Sequence, residues 1–327
     1  MGYQNLATAR VLVVYNDVGD AQAIEDADTL AQRDEAIAAL QGLVASVQSA
    51  PFGHCLATLE RKVLTYKPTI IVNLVESLRG TDALLPFAAM MYAYLGIPYT
   101  GCGAEVLGLL SRKTKQKQFL QAFGLATPLD LSAAGTTGSY IVKSDTEHAS
   151  KGLDDKSIVQ GALAAQKLIA EKQKFYGGQW FAEAFVTGRE FNVSLIDRGN
   201  GQADVLPVAE IQFINYPENK PKIVGFEAKW ETESFSYSAT PRRFDFPDDD
   251  AALLEKLAEL SQKCWNVFGL RGAARVDFRV AENGTPFILE VNANPCLSAD
   301  AGFMAAAAKA ALTPEDVWKK LLNAARI

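Results

Sequence analysis

The sequence predicts an α/β protein, with an open parallel sheet at its N-terminal end and a polar hairpin towards its C-terminus. Residues 10–15 form a continuous apolar run, and residues 69–74 form a second, mostly apolar one, as expected of strands buried on both faces of a parallel sheet. Helical patterns follow both runs, and alternation of strand and helix is typical of an open α/β sheet. Towards the C-terminus, the apolar runs 273–280 and 286–291 flank an Glu-Asn-Gly tripeptide at 282–284, a composition typical of a tight hairpin.

The composition is that of an ordinary globular protein and excludes several classes of function. The 327 residues include 49% hydrophobic and 21% charged residues. A net charge of −6 argues against a nucleic-acid or anionic-membrane partner, which would need a basic surface. The four widely spaced cysteines favour neither a zinc site nor a disulfide framework, and two histidines exclude a His-rich catalytic site. Since the sequence shows no membrane-length apolar run and no signal-peptide core, we expect a cytoplasmic protein.

After the first strand, the N-terminal part alternates helical and strand patterns. A first amphipathic helix is predicted from apolar residues at helical spacing, namely Ile37, Leu40, Val44 and Val47. A second helix is predicted over Leu56–Tyr66, with the Lys-Pro pair at 67–68 as its breaker. A helix rich in Ala, Met and Tyr follows the second strand and stops at Gly96, and residues 98–101 are predicted to be the turn that leaves this part.

Polar residues follow the second predicted strand. Asn73 and Glu76 lie at or just past its carboxyl end, and Arg79 comes shortly after them. Open α/β sheets bind ligands at the carboxyl ends of their strands. These three residues are therefore candidates for ligand contact.

The middle of the chain combines a lysine-bearing helix with a loop of small residues. A helix is predicted over residues 113–123, and we expect its Lys115 and Lys117 to form a solvated face. A short strand ending in Lys143 leads into residues 144–152, which are small and polar. Such a loop is either an ordinary surface loop or a segment that wraps backbone N–H groups around phosphates. It lacks the Walker A pattern.

Residues 180–186 and 191–196 are two further apolar strands. They are joined by Thr187-Gly188-Arg189, followed by Glu190, and this spacing suggests a hairpin. Glu183 and Glu190 interrupt the apolar pattern in this region, and each by itself is typical of a solvent-facing residue.

The C-terminal part begins with a long irregular segment. Residues 211–246 are rich in Asn, Pro, Glu and Ser and contain Lys229; loops of that length are usually lids or disordered. A long amphipathic helix is predicted over Ala251–Phe268. The last helix is predicted to start at Pro314, with Thr313 as its N-cap.

The hairpin at residues 273–291 places functional side chains on one face. Alternate residues of a strand share a face. Arg275 and Asp277 therefore point the same way, as do Glu290 and Asn292 on the partner strand. Mg2+ takes one or two carboxylates together with the phosphates of a nucleotide. The polar face is either such a cation site or a solvated surface, and the hairpin alone does not decide between them.

Taken in chain order, these pieces resemble the ATP-grasp superfamily, and within it the D-alanine–D-alanine ligase type. The resemblance extends from about residue 96 to residue 297. It rests on I-P-Y-T-G at 97–101, the helix that begins at Lys113, I-V-K at 141–143, E-H-A-S-K-G at 147–152, E-A-F-V-T-G-R-E at 183–190, F-E-A-K-W at 226–230, R-V-D-F at 275–278 and E-V-N-A-N-P at 290–295.

The resemblance implies an ATP-grasp fold, in which two α+β subdomains clamp ATP next to an N-terminal substrate domain. The implied domains are residues 1–100, 101–182 and 183–327. The implied nucleotide-binding residues are phosphate-binding cations (Lys113, Lys143), a loop over the phosphates (Glu147, Ser150, Gly152), a hinge that reads adenine (Glu183, Ala184, Phe185, Val186) and a ribose-binding carboxylate (Glu190).

The resemblance also implies a metal site and catalytic residues. The ligands of two Mg2+ ions, or of Mn2+, would be Asp277, Glu290 and Asn292. Arg275 would stabilise the transition-state oxyanion, and Lys229 would close over the γ-phosphate and the second substrate. Cys296 would offer its backbone N–H to an oxyanion hole. A reactive thiol at Cys296 is the competing interpretation of that residue.

Enzymes of this type transfer the γ-phosphoryl group of ATP to a carboxylate and then let an amine attack the acylphosphate. Such chemistry depends on positioning and charge neutralisation, which suits a set of cations, carboxylates and a lid. The implied partners are small-molecule carboxylate and amine substrates, with no nucleic acid and no membrane. A homodimer is compatible with the resemblance.

The sequence departs from the family at the substrate pockets. Residues 16–25 lack the family's glycine-rich turn with its ammonium-binding Glu, although Asp17 or Glu25 could substitute. Residues 72–80 stand in place of the family's H-G-x-x-G-E-D-G segment, and Asp300 would repel an incoming carboxylate. We therefore expect an ATP-dependent carboxylate–amine ligase whose substrates are not two D-alanines. The alternatives are a true D-alanine–D-alanine ligase and a non-catalytic ATP-binding regulatory protein.

Overall fold

Three sheets follow one another along the chain. The computed structural model describes residues 5–18, 24–53, 55–79, 81–146 and 150–327. Within this part of the chain, no helix is long and apolar enough to cross a membrane. The three sheets meet around one cavity, which holds the candidate site.

The first sheet is parallel, as predicted. Its strands are β1 (Arg10–Asn16), β2 (Ser46–Phe52) and β3 (Ile70–Leu74), in the order β2-β1-β3. The helices connecting and following them are α1 (Ile24–Leu40), α2 (Leu56–Tyr66) and α3 (Leu85–Tyr94). Every residue of β3 is buried, including the polar Asn73, as expected of a strand that packs in the protein interior.

The helix predicted from Ile37 to Val47 is wrong at its C-terminal end. Helix α1 stops at Leu40, and Val47 lies in β2 opposite Val11 of β1. Pairing with β1 supplies main-chain hydrogen bonds to a segment that is distant in sequence. The spacing of apolar residues within one segment carries no information about such a partner. Strand β2 is at the sheet edge, which is where a strand tolerates a proline such as Pro51.

Helix α2 has the predicted bounds, and its end shows why. Lys67 adopts the left-handed conformation with φ 52°, and Pro68 prevents further helix. Residues 98–100 do not simply turn away from the first sheet. The N–H of Thr100 donates to the Ile71 carbonyl oxygen at 3.0 Å, so this segment runs beside β3 before the chain leaves.

The second sheet is antiparallel and lies in the middle of the chain. Its strands are β4 (Ser139–Ser144), β5 (Ile158–Gln160) and β6 (Trp180–Ala184), in the order β5-β4-β6. Helices α4 (Ala104–Leu110) and α5 (Lys113–Ala122) precede this sheet in the chain, and α6 (Ala162–Tyr176) packs on it. Tyr140, Val142, Ala165 and Trp180 form a small core between the sheet and α6.

The third sheet carries the predicted polar hairpin. Its strands are β7 (Gly188–Asp197), β8 (Ala203–Val205), β9 (Ala209–Ile211), β10 (Arg242–Arg243), β11 (Ala273–Ala281) and β12 (Pro286–Asn292). Their order is β10-β9-β7-β11-β12, with β8 paired to β7. The irregular segment between β9 and β10 contains the short helices α7 (Phe226–Trp230) and α8 (Phe235–Ser238).

The predicted hairpin between residues 180–186 and 191–196 is wrong. Strand β6 belongs to the second sheet and β7 to the third, so the short link between them crosses from one sheet to the other. The crossing requires a glycine, because Gly188 has φ 137° and a Cβ there would lie 2.0 Å from the Val280 carbonyl oxygen.

The C-terminal helices complete two cores. They are α9 (Ala251–Phe268), α10 (Gly302–Lys309) and α11 (Pro314–Asn323). Helix α9 has the predicted bounds, and α11 opens with a capping box between Thr313 and Asp316. The apolar face of α11, including Trp318 and Leu322, shares a core with Val11 and Val13 of β1. The end of the chain therefore packs against the first sheet.

Candidate active site

A cavity of about 1320 Å³ lies where the three sheets meet. It is lined by almost every predicted site residue that the structure describes, namely Lys113, Lys143, Ser150, Glu183, Ala184, Phe185, Val186, Glu190, Lys229, Arg275, Asp277, Glu290, Asn292 and Cys296. Glu147 lies outside the described residues. The fold thus brings together side chains that are up to 183 positions apart (113 to 296) in one cavity.

The predicted polar hairpin is confirmed, and the structure gives its register. Asp277 lies opposite Glu290, and Arg275 lies opposite Asn292, with a bulge between Asp277 and Phe278. All four polar side chains line the cavity, while Val276 and Val291 are fully buried on the other face. The period of two in a strand produces this division of the faces.

Arg275 and Asp277 form a two-pronged ion pair. Arg275 Nε lies 2.7 Å from Asp277 Oδ1, and its second nitrogen donates to Oδ2 at 2.9 Å. Asn192 on the neighbouring strand also donates to Asp277 Oδ1, at 2.7 Å. Across the hairpin, Lys113 Nζ lies 3.7 Å from Glu290 Oε2. Each carboxylate is therefore oriented by at least one neighbouring donor or cation.

The oxygen donors at the hairpin suit Mg2+. Asp277 and Glu290 supply carboxylates and Asn292 a carboxamide oxygen, which are hard ligands. In the described part of the chain, no cluster of three or more His, Cys, Asp or Glu side chains could hold a metal by itself. Mg2+ characteristically completes its shell with water and substrate phosphates, so a pair of carboxylates beside an amide fits this ion.

Lys117 is not a solvated lysine, contrary to the sequence-based expectation. It is 4% exposed, and its Nζ lies 2.5 Å from Glu183 Oε2, while Lys143 Nζ lies 2.7 Å from Oε1 of the same carboxylate. Burial by itself would raise the pKa of Glu183, but the two lysines lower it below its usual value. Glu183 is therefore an ionised, fully buried carboxylate and not a solvent-facing one.

A helical signal could have identified Lys117. Lys113 and Lys117 are four residues apart on α5, so they share a face, whereas Lys115 lies on the other side and is exposed as expected. Gln116 is also buried and exchanges hydrogen bonds of 2.9 and 2.8 Å with the backbone of Val291. Through these contacts α5 fixes β12 beside the cavity.

The link from β6 to β7 runs along the cavity wall. The N–H of Ala184 donates to Leu129 and that of Phe185 donates to Ser139, both at 2.8 Å. These bonds hold the segment at the junction of the second and third sheets. Both acceptors lie in or just before the second sheet, so these bonds hold the start of the link against that sheet.

Glu190 is held by an arginine that sequence reasoning missed. Arg279 lies 3.0 Å from Glu190 Oε2 and donates to the Gly188 carbonyl oxygen at 2.9 Å. Arg279 is 3% exposed and its guanidinium lies over the ring of Phe185 at 5.8 Å. The alternation of the hairpin places Arg275, Asp277 and Arg279 on the same face, which is the signal that could have found it.

The small-residue loop meets the irregular segment of the third sheet. Ser150 has φ 60° and donates from Oγ to the Val224 carbonyl oxygen at 3.3 Å. The N–H of Phe226 donates to the Leu153 carbonyl oxygen at 3.0 Å. Gly152 lies outside the described lining of the cavity, because it faces the Trp180 ring and its carbonyl oxygen accepts a bond from Lys172. Gly152 therefore contacts the second sheet and α6 and supports the loop without lining the cavity.

Lys229, on α7, lines the same cavity as the hairpin. Burial lowers its pKa, and the nearby charge of Arg275 lowers it further, while Glu290 and Asp277 act in the opposite direction. Its surroundings thus contain both cationic and anionic side chains.

Cys296 has the contacts of a buried thiol. Its Sγ lies 3.3 Å from Gln32 Nε2, 3.2 Å from Ser298 Oγ and 3.5 Å from Asp28 Oδ2. Burial, with the negative charges of Glu76 and Asp28, raises the pKa of this thiol well above its usual value. A thiol that stays protonated is a poor nucleophile, which argues against the competing interpretation of this residue.

Of the three ligand-contact candidates at or just past the end of β3, two line the cavity and one does not. Glu76 and Arg79 line the cavity. Asn73 is 5% exposed and its Oδ1 accepts a hydrogen bond from the Tyr92 hydroxyl at 3.1 Å, so it is a core residue outside the described lining. Asp17 lines the cavity, and Glu25 lies in α1, where its side chain is outside the described residues.

The chain is similar in sequence to a known protein family and to several known proteins. The family model described as D-ala D-ala ligase C-terminus matches residues 139–323. The chain belongs to the D-alanine–D-alanine ligase family. A D-alanine–D-alanine ligase of Cupriavidus taiwanensis is 28% identical over 244 residues, which are 71% of this chain and 69% of that protein. An uncharacterized protein of Sinorhizobium fredii is 28% identical over 279 residues, which are 82% of this chain and 78% of that protein.

The chain also has the same fold as a solved D-alanine–D-alanine ligase. A crystal structure of the D-alanine–D-alanine ligase from Bacillus anthracis complexed with ATP superposes with a TM-score of 0.70 at 19% identity, covering 96% of each chain. The ATP-grasp fold and the ligase class predicted from the sequence are confirmed. The D-alanine–D-alanine ligase family match begins at β4, so it includes the second and third sheets, the hairpin and the lysine of β4.

Proposed function

We propose that this family member is an ATP-dependent carboxylate–amine ligase that forms an amide bond through an acylphosphate. One observation carries the proposal: the cations Lys113, Lys143, Lys229 and Arg275 converge with the hairpin carboxylates in a single cavity. Phosphoryl transfer needs this combination, because catalysis consists mostly of positioning and neutralising charge.

The nucleotide would lie between the second and third sheets. Lys113 and Lys143 would bind its phosphates as fixed cations, and the segment 183–186 would read the adenine edge. Glu190, oriented by Arg279, would accept the ribose hydroxyls. The similar protein from Bacillus anthracis is described as a complex with ATP, which supports this assignment.

Asp277, Glu290 and Asn292 would hold Mg2+, which would supply positive charge against the negative charge of the transferring phosphoryl group. Arg275 would stabilise the negative charge that develops on the reacting oxygens, and the backbone N–H of Cys296 would add a donor. Each of these groups donates to or neutralises an oxygen, and none needs to form a bond with the substrate.

The reaction would run in two balanced steps. A carboxylate oxygen of the acid attacks the γ-phosphorus of ATP, and ADP leaves. The nitrogen of the amine then attacks the acyl carbon, inorganic phosphate leaves, and the nitrogen loses a proton. The contacts of Ser150 with Val224 and of Leu153 with Phe226 would close the cavity and keep water from the acylphosphate. Lys229 lies on α7 in the same segment and would close over the γ-phosphate.

The proposal is tested with ATP, Mg2+ and hydroxylamine against a panel of D- and L-amino acids. Hydroxylamine intercepts an acylphosphate and gives a hydroxamate that identifies the acid. We expect ATP-dependent hydroxamate with at least one acid, and its loss in Glu290→Ala, because a carboxylate beside the phosphates would be missing. Glu282→Ala, an exposed change in the turn of the same hairpin, is the matched control.

The outcomes separate three functions. Hydroxamate from D-alanine alone, with D-alanyl-D-alanine formed when hydroxylamine is omitted, would support a true D-alanine–D-alanine ligase, the function named for several relatives. ATP binding without turnover on any acid would support a regulatory protein. Activity in Glu290→Ala equal to that of Glu282→Ala would refute the metal assignment.

A further inference from the structure

The cavity extends beyond Arg275 to the carboxyl ends of the three parallel strands. Asn16 of β1 and Phe52 of β2 are paired in the register, and Glu76 follows β3. The N–H of Glu76 donates to Asn16 Oδ1 at 2.8 Å, which ties these ends together. All three residues line the cavity. This end of the cavity is thus part of the same space as the reaction centre but is built by the first sheet.

One side of this end is anionic. Glu76 Oε1 accepts a hydrogen bond from Gln32 at 2.7 Å, and Gln32 is itself 3% exposed. Burial raises the pKa of Glu76 to about 7, and the nearby carboxylates of Asp28 and Asp82 act in the same direction, whereas Gln32 and Arg275 oppose it. A cationic nitrogen placed here would face Asp28, Asp82 and Glu76, and its charge would favour the ionised form of Glu76.

The other side is apolar. Phe52, Leu56, Leu84 and Phe87 line the cavity. The rings of Phe52 and Phe87 meet edge to face at 6.0 Å, and Phe52 makes a second such contact with Tyr92 at 6.2 Å. Phe52 is only 1% exposed, so it backs Phe87 rigidly, while Leu84 and Phe87 are each 42% exposed. We call Phe52, Leu56, Leu84 and Phe87 the apolar wall.

We propose that the acid activated by this enzyme is an amino acid with a bulky aliphatic or aromatic side chain, which packs on the apolar wall. This inference rests on the proposed ligase function and adds the class of its acid substrate. The wall, the anionic side and Arg275 line one cavity. Phe52 of the wall pairs with Asn16, which accepts a hydrogen bond from the Glu76 N–H, and Arg275 lies near enough to Glu76 to lower its pKa. One molecule that carries a carboxylate, a cationic nitrogen and an apolar group would therefore match all three. The methyl group of alanine offers too little apolar surface to cover a wall of two phenylalanines and two leucines.

The test compares acids in the hydroxamate assay. We expect leucine or phenylalanine, in one of the two enantiomers, to be used with a kcat/KM about ten-fold or more above that of alanine, because burying such a side chain contributes at least that factor. Phe87→Ala should lower kcat/KM for the bulky acid about ten-fold, mostly through KM. The KM for ATP should not change, because the nucleotide is assigned to the other two sheets.

Met90→Ala is the matched control. Met90 is on the same helix, is 57% exposed and lies outside the described lining of the cavity. It should behave as wild type towards both acid and ATP. Thermal unfolding of the Phe87→Ala and Met90→Ala variants shows whether a fall in kcat/KM for the acid comes from a damaged fold.

The outcomes separate this inference from the function on which it rests. If no acid gives a hydroxamate or ADP, the ligase proposal and this inference both fall. If alanine or glycine is the best acid and Phe87→Ala leaves its KM unchanged, this inference falls and the ligase proposal stands. If Phe87→Ala converts a dimer into a monomer in sedimentation without changing the KM of the acid, a second copy of the chain covers the wall, and the inference is also overturned.

Discussion

Replacing Lys117 by methionine tests whether a buried ion network supports both the fold and the nucleotide site. The Nζ of Lys117 lies 2.5 Å from Glu183 Oε2, 3.0 Å from Thr127 Oγ1 and 3.2 Å from the Leu289 carbonyl oxygen. Methionine has a similar length but removes all three interactions. The Glu183 side chain, 1% exposed, would be left with Lys143 as its ion-pair partner.

The expected loss follows from the burial of that carboxylate. Removing one partner of a buried ion pair typically costs about 3–5 kcal/mol. Lys143 remains 2.7 Å from Glu183, so we expect the lower end, a fall of about 3 kcal/mol in the free energy of unfolding. We also expect the KM for ATP to rise about ten-fold, because Lys143 is drawn further towards Glu183 and a charge-assisted contact to the phosphates weakens.

Urea titration and the ATP dependence of hydroxamate formation measure the two effects. Lys115→Met is the control, since Lys115 is exposed on the same helix and should change stability by less than about 0.5 kcal/mol. Adding Glu183→Gln to Lys117→Met should recover part of the lost stability, because the fully buried carboxylate is then neutral and the Lys143 ammonium, on a side chain that is 16% exposed, can contact solvent. Equal unfolding midpoints for Lys117→Met and Lys115→Met would refute the network.

Two further predictions follow from the buried ionisable groups at the other end of the cavity. With a folded-state pKa of about 7 against an ordinary 4.5, Glu76 keeps a proton that the unfolded chain has released, so stability should fall by roughly 2–3 kcal/mol as pH rises from about 4.5 to 7. Glu76→Gln should flatten this fall in urea titrations at pH 5 and pH 8; an unchanged fall would contradict the assignment to Glu76. The raised pKa of Cys296 and the exposure of Cys55, whose pKa is lowered by hydrogen bonds from Thr58, predict that iodoacetamide alkylates Cys55 first at pH 8, as peptide mass spectrometry would show. Rapid alkylation of Cys296 with loss of hydroxamate formation would instead support a reactive thiol.

Features that depend on neighbouring residues in the sequence could be predicted. The bounds of α2 follow from Lys67-Pro68, and the capping box of α11 follows from Thr313 and its partner three residues on. The hairpin of β11 and β12 followed from alternation around a tight turn, including the shared face of Arg275 and Asp277. These signals are local, because the residues that determine each structure lie within a few positions of one another.

Features that depend on distant partners could not be predicted in the same way. Val47 matches a helical period, but pairing with Val11 makes it part of a strand. The strands before and after Gly188 look like a hairpin in sequence, yet they belong to different sheets. Local periodicity states what a segment can form, and the available partner determines what it does form.

The sequence by itself determined the fold class and the chemical types of the site residues. The cations, the carboxylates and the alternating hairpin could be identified in the sequence, and their assignment to phosphoryl transfer came from the resemblance of these motifs to the ATP-grasp superfamily. Only the tertiary structure decided which of them are buried together. It changed Lys117 from a solvated lysine into a counterion of Glu183, removed Asn73 from the cavity, and brought Phe87 to its surface. Burial and pairing arise between residues far apart in sequence, so they exist only after the chain has packed.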